Sequence, residues 1–302
     1  MFAPKSAEHV ASERLLSLLR YTVLAPSFRN RQPWRFAVGE GEIRVFAEAD
    51  DPRVSGAIPP RERDLSLGCA IENLAIAAEA AGVLDTVRLL PDPNQPQRVA
   101  DVVINAAGSA PRRDIVALFE AIPERHTDEG PFLPSPVPVR VRRLLEGAVV
   151  EPDVRLVLID TCEVRRLIES AVSSAPPSSV DAIAARLGAL LRPARGKTDH
   201  RDPADLAIAA PLFGAIVASR DDRLAWLQGG RALERVWLTA TSYGLHLHPL
   251  SELLLVEPFA VGIRSLVGTG LPLVPFRLGY GRLERRRTHR RPLRDVLVPW
   301  QE

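Results

Sequence analysis

Two helical segments of this chain carry the same small-residue pattern at a fixed spacing. Gly68-Cys69-Ala70-Ile71-Glu72-Asn73-Leu74 aligns with Gly230-Arg231-Ala232-Leu233-Glu234-Arg235-Val236, so Gly, Ala and Glu coincide at an offset of 230 minus 68, or 162. The same offset carries Ala78 to Ala240 and Gly82 to Gly244. Five coincidences among common residues are within reach of chance. A shared terminal glycine, the residue that ends helices in the left-handed conformation, favours an internal duplication. The first segment, Leu65 to Gly82, is apolar nearly all round, which predicts a helix buried on every side. With such helices at its centre, a duplicated chain folds as a pseudo-dimer whose halves are related by a pseudo-two-fold axis. The halves are placed at 1–110 and 111–302.

Around these helices the pattern predicts an α+β protein with antiparallel-rich sheets. Ser12 to Leu24 has its leucines at helical spacing, and Trp34–Val38 and Ile43–Phe46 alternate as strands about a Gly-Glu-Gly-Glu turn. Further strands are expected at Thr86–Leu90, Val99–Ile104, Val154–Ile159, Gly214–Ser219 and Leu273–Tyr280. Helices are expected at Arg112–Ile122, Val137–Ala148, Thr161–Ser170 and Leu224–Tyr243. The stretch from Ser173 to Asp205, opening Ser-Ser-Ala-Pro-Pro-Ser-Ser, reads as an insertion or lid.

Between the first helix and the first strand lies Ala25-Pro26-Ser27-Phe28-Arg29-Asn30-Arg31-Gln32-Pro33-Trp34. A proline-broken turn rich in Ser, Asn and Gln has little to give a core. It offers donors and acceptors beside a flat apolar surface, which suits a bound heteroaromatic ring. The plain alternative is a helix stop followed by a core tryptophan.

Several classes of function are disfavoured. Basic residues number 39 against 37 acidic, and the arginine-rich tail has no interleaved aromatics, so a nucleic-acid surface is not expected. There is no run of about 18 apolar residues and no secretion-type leader, so no membrane span is expected. Cys69 and Cys162 are far apart with no C-x-x-C, which points to a reducing, cytoplasmic setting. His246-x-His248 alternates as metal ligands on a strand can, but no third ligand is near in sequence, so no metal is expected. Gly39-Glu40-Gly41 and Gly268-Thr269-Gly270 do not complete a dinucleotide fingerprint.

The turn resembles the flavin-binding turn of the FMN-dependent nitroreductases. Other matching pieces stand in the family's order: Ala232–Thr241, Arg-Leu-Gly-Tyr-Gly at 277–281, and Arg-Arg-Pro-Leu-Arg-Asp-Val-Leu at 290–297. The chain is similar to the superfamily's duplicated, Acg-like branch over most of its length. The resemblance implies a nitroreductase-like fold duplicated within one chain, with a single FMN at the interface of the halves. It implies flavin contacts from Ser27, Asn30, Gln32 and Trp34. Phosphate contacts would come from the triplet Arg125-His126-Thr127 and from Arg290 or Arg291, and a backbone donor to flavin N5 from the loop holding Pro249, Ser251 and Glu252. Glu129 stands where the family usually has a Lys or Arg near the flavin N1 edge, a departure that opposes the anionic reduced flavin.

The implied activity is FMN-dependent oxidoreduction, with hydride passing between N5 and NAD(P)H or a small organic substrate. The alternatives are a protein that sequesters FMN with little turnover, and a cofactor-free scaffold. Duplication leaves both a monomer and a homodimer open.

Overall fold

Periodicity-two burial builds the first hairpin: β1 (Trp34–Val38) and β2 (Glu42–Ala47) pair antiparallel, with Trp34 opposite Ala47 and Val38 opposite Ile43. The computed structural model describes residues 7–39, 41–49, 57–105, 110–164, 166–167, 210–255, 257–281 and 288–300. They form two compact units. The expected lid at Ser173 to Asp205 lies outside the described residues, as do Arg282, Arg285, Arg286 and Arg287.

The first unit takes residues 1–124, 222–238 and 288–302. It holds α1 (Ala7–Thr22), β1, β2, α2 (Pro60–Ala80), β3 (Leu84–Leu89), β4 (Arg98–Ile104) and α3 (Arg113–Ala121). Its antiparallel sheet runs β1-β2-β4-β3. Every residue of α2 from Asp64 to Ala78 is buried, as an all-round apolar helix requires. The helix begins at Pro60, ahead of the expected Leu65, because proline is tolerated in a first turn and Asp64 finds Arg223 Nε at 2.9 Å.

Helix α5 (Arg223–Ser242) packs against α2 through its residues in this unit. A Cβ on Gly68 would lie 2.2 Å from the Leu227 carbonyl oxygen, and one on Gly230 would lie 2.0 Å from that of Leu65. Only glycine lets the two backbones touch here. Glu72, fully buried beside this crossing, accepts from Arg231 Nε at 2.9 Å and Arg235 Nε at 2.6 Å. Ile76, Ile115, Leu118, Ile122 and Leu238 form an apolar cluster where α2, α3 and α5 meet.

The tail returns to this unit as well. Phe36 N–H donates to Val296 O at 2.8 Å and Val298 N–H to Phe36 O at 2.9 Å, so the tail covers the free edge of β1. Trp300 closes over Gly39, with the Arg44 guanidinium 3.7 Å from its ring.

The second unit takes residues 125–221 and 239–287. It holds α4 (Val139–Gly147), β5 (Val154–Ile159), β6 (Leu212–Ala218), β7 (His246–Pro249), α6 (Glu257–Val267) and β8 (Leu271–Gly279). Its sheet runs β5-β6-β8-β7, again antiparallel throughout. Phe132, Phe213, Leu250, Phe259 and Ile263 fill its core. The 3-10 helix Ser251–Leu255 and α6 carry no expectation from the sequence. Gly262 hides the helical pattern of α6, yet it admits Leu167, whose Cδ1 would be 1.7 Å from a Cβ there.

The two central helices end alike. Gly82 (φ +69°) and Gly244 (φ +72°) sit in the left-handed region. Gly82 N–H bonds Glu79 O and Val83 N–H bonds Ala78 O; Gly244 N–H bonds Thr241 O and Leu245 N–H bonds Ala240 O. Both are Schellman caps, where the shape of the last turn requires glycine.

Candidate functional site

In the first unit the polar turn folds back on itself. Ser27 Oγ accepts the Gln32 N–H at 3.0 Å, and Phe28 N–H donates to Ser66 Oγ of α2 at 3.0 Å. Arg29, Asn30 and Gln32 have φ of 49°, 55° and 52°, left-handed values that side-chain-bearing residues avoid. Each costs about 1–3 kcal/mol, and such strain gathers at binding sites. The tail holds the turn in place. Asn30 Nδ2 donates to His289 O at 3.0 Å, and Arg290 Nη1 donates to Asn30 Oδ1 at 3.2 Å. Gln32 Oε1 accepts Arg291 N–H at 2.8 Å, and Arg291 Nη1 donates to Gln32 O at 3.3 Å. The Arg291 guanidinium is also paired with Glu48, which Arg35 shares.

Ser27, Asn30, Gln32, Arg290 and Arg291 are therefore one hydrogen-bonded group, although some 260 residues separate its ends. Trp34 stands apart from them. It is wholly buried in β1 and presents no exposed ring face, and its indole N–H has no acceptor among the described residues.

In the second unit, residues 125–128 run beside β7, with Thr127 bridged to Leu247. Arg125 is buried and Thr127 exposed. The His126 ring meets the His246 ring edge-on, their centroids 4.6 Å apart. His246 Nδ1 lies 2.8 Å from Asp128 Oδ2, while Asp128 Oδ1 accepts the Gly130 N–H at 2.9 Å. Burial pushes the Asp128 carboxyl upward. The His246 hydrogen bond, the Gly130 N–H and the nearby histidine charges outweigh it and leave Asp128 below the ordinary carboxylate range.

Arg277 of β8, fully buried, donates through Nε to His248 Nδ1 at 3.1 Å and through Nη2 to Glu129 O at 2.7 Å. Burial lowers its pKa to about 10 against the pull of the Asp128 and Glu129 carboxylates, so it remains a cation at neutral pH. Burial, and then the Arg277 charge, depress His248 to about 3. Pro249 closes β7 opposite Phe276, and Ser251 and Glu252 open the 3-10 helix that follows.

Two groups of predicted residues are thus assembled, each within its own unit: the turn with the tail, and the triplet with β7. Asp128, His246, His248 and Arg277 form a connected polar cluster that sequence reasoning did not assemble. The only signals were the His246-x-His248 alternation and the Arg277 match in the 277–281 piece.

No protein-family model matches the chain. A Mycobacterium tuberculosis protein provisionally named NAD(P)H nitroreductase Rv3131 is 28% identical over 323 residues, covering 96% of this chain and 92% of that protein. The same organism's acg, also provisionally named an NAD(P)H nitroreductase, is 29% identical over 157 residues, covering 50% of this chain and 45% of its own. The chain is thus similar to proteins named as NAD(P)H nitroreductases, over nearly its whole length to Rv3131 and over half of it to acg. Two solved structures match at lower identity. The FMN-dependent NfnB of Mycobacterium smegmatis, solved with NADPH, has a TM-score of 0.40 at 18% identity, covering 57% of this chain and 94% of its own. A nitroreductase-like protein of Bacillus cereus has a TM-score of 0.45 at 18% identity, covering 59% and 92%.

Proposed function

We propose that this Acg-like protein binds one FMN per chain and transfers hydride between the flavin and NAD(P)H or a small organic substrate. The observation that carries the reading is the strained turn at Arg29, Asn30 and Gln32, clamped by His289, Arg290 and Arg291. A polar, cationic edge of this kind fits the dioxopyrimidine edge and ribityl chain of a flavin better than it fits a core, while Trp34, wholly buried, serves the packing of β1. The Asn30 and Gln32 amides are engaged with the tail, so their part is to hold Arg290 and Arg291 in register as much as to touch a ligand.

Arg125 and Thr127 are the proposed phosphate contacts, by their place in the triplet. Pro249, Ser251 and Glu252 are the proposed N5 loop. When bound, FMN supplies the hydride chemistry, and the protein's share is to bind, orient and tune it. Glu129 does not stand without a counter-charge, because the Arg277 cation bonds its carbonyl and feels its carboxylate. That cation offsets the departure from the family's basic residue and favours turnover over sequestration.

The single site goes with the proposed duplication. It is supported by the sheet order, first-second-fourth-third in both units, and by the twin Schellman caps 162 residues apart. It is supported further by the reciprocal contact Gly68–Leu227 and Gly230–Leu65, in which each partner is shifted by the same 162. Such an exchange, i with j and j with i, is what a two-fold axis produces. Neither half repeats the other's polar turn or basic triplet.

Equilibrium titration with FMN tests the assignment. Arg125→Ala is expected to weaken binding by about 1.5–3 kcal/mol, the loss of a charge-assisted bond. Arg291→Ala is expected to weaken it by releasing the tail from the turn. FMN affinity unchanged in both variants would remove these groups from the site.

A further inference from the structure

We propose that His126, Asp128 and His246 form a binding site for a divalent first-row transition ion. Each offers one donor atom, and the three atoms lie within 4.8 Å of one another. Two come from the segment before Gly130 and one from β7, so the chain topology, not local spacing, brings them together. The bridge from Thr127 to Leu247 sets this segment beside β7, where His126 meets the His246 ring and Asp128 meets its Nδ1.

Two imidazoles and a carboxylate are the donor set such ions prefer, and three protein ligands leave a position for water or another small ligand. The carboxylate is already oriented: Gly130 N–H holds Oδ1, which turns Oδ2 toward His246 Nδ1. Gly281 passes directly over the pair. A Cβ there would lie 2.1 Å from Asp128 Oδ2 and 2.2 Å from His246 Nδ1, so any side chain at this position would displace the pair. The His246 and Asp128 side chains keep 19% and 15% of their exposure, enough for an ion to enter.

A tetrahedral ion with bonds near 2.0–2.1 Å holds its donors about 3.3 Å apart. The 2.8 Å His246–Asp128 hydrogen bond must therefore open by about half an ångström and His126 must close in, with loss of the shared proton. Asp128, held as a carboxylate, is ready for this. The Arg277 cation also draws on Asp128, so the site binds more weakly than a closed four-ligand one. His248 stays with Arg277 and is not a ligand.

The test is calorimetric titration of the full chain with ZnCl2, after EDTA treatment and dialysis, with the bound flavin counted. One Zn2+ per chain is expected, weakened tenfold or more in at least two of His126→Gln, Asp128→Asn and His246→Gln. No binding to the parent protein, or weakening in fewer than two variants, would overturn the proposal. If the variants do not fold, the visible spectrum of the Co2+-loaded parent decides. Intense absorption of a four- or five-coordinate ion supports the site, and the weak bands of hexa-aqua cobalt refute it. Either result leaves the flavin reading standing.

Discussion

His248 carries a buried imidazole whose neutrality is imposed by its neighbours. Its pKa in the folded protein is about 3, against about 6.5 when exposed, because burial and then Arg277 oppose its charge. The unfolded chain therefore takes up a proton below about pH 6.5 that the folded one refuses, and stability falls as pH drops from 6.5 toward 3. The loss is on the order of 1 kcal/mol per pH unit in that window. Urea unfolding at pH 7 and pH 5 checks this. His248→Gln is expected to lose less stability over that interval than the parent, and an equal loss in both would remove His248 as the source. At this scale the polar turn was legible, because Pro, Ser, Asn and Gln in ten residues state a local chemistry. The His126–Asp128–His246 group was not, since 118 residues separate Asp128 from its imidazole partner and periodicity carries no record of such a meeting.

At the scale of elements, the crossing of α2 and α5 rests on two glycines. An alanine in a helix interior ordinarily stabilises by about 0.5–1 kcal/mol over glycine. Gly230→Ala should reverse that sign, because its Cβ would fall 2.0 Å from Leu65 O and force the backbones apart. A loss of about 1–3 kcal/mol or more is expected, as for overpacked cores. Thermal melting decides it, and a melting temperature equal to or above the parent's would show that the crossing is loose. The central helix was readable because a helix buried on all sides must be apolar on all sides. Its start was not, since Arg61 to Asp64 look like surface until Asp64 is seen bonded to Arg223. The 3-10 helix and α6 were missed for a similar reason. The apolar run of α6 is interrupted by Gly262, whose use is a packing contact with Leu167.

At the scale of the whole molecule, the compact units and the sequence halves are different divisions of the chain. The first unit takes residues 222–238 and 288–302 from beyond residue 111, so no composition break marks its edge. A single sequence does suggest the proposed repeat, and its offset of 162 reappears in the caps and in the reciprocal glycine contact. Among the described residues no helix is long and apolar enough to cross a membrane. Absorbance reads the proposed flavin chemistry most directly. The purified protein is denatured to identify and count its flavin, and the native protein is exposed to NADH and NADPH without oxygen. One FMN per chain, bleached by a reduced nicotinamide, is the result predicted here. A colourless protein that also refuses added FMN would contradict the account.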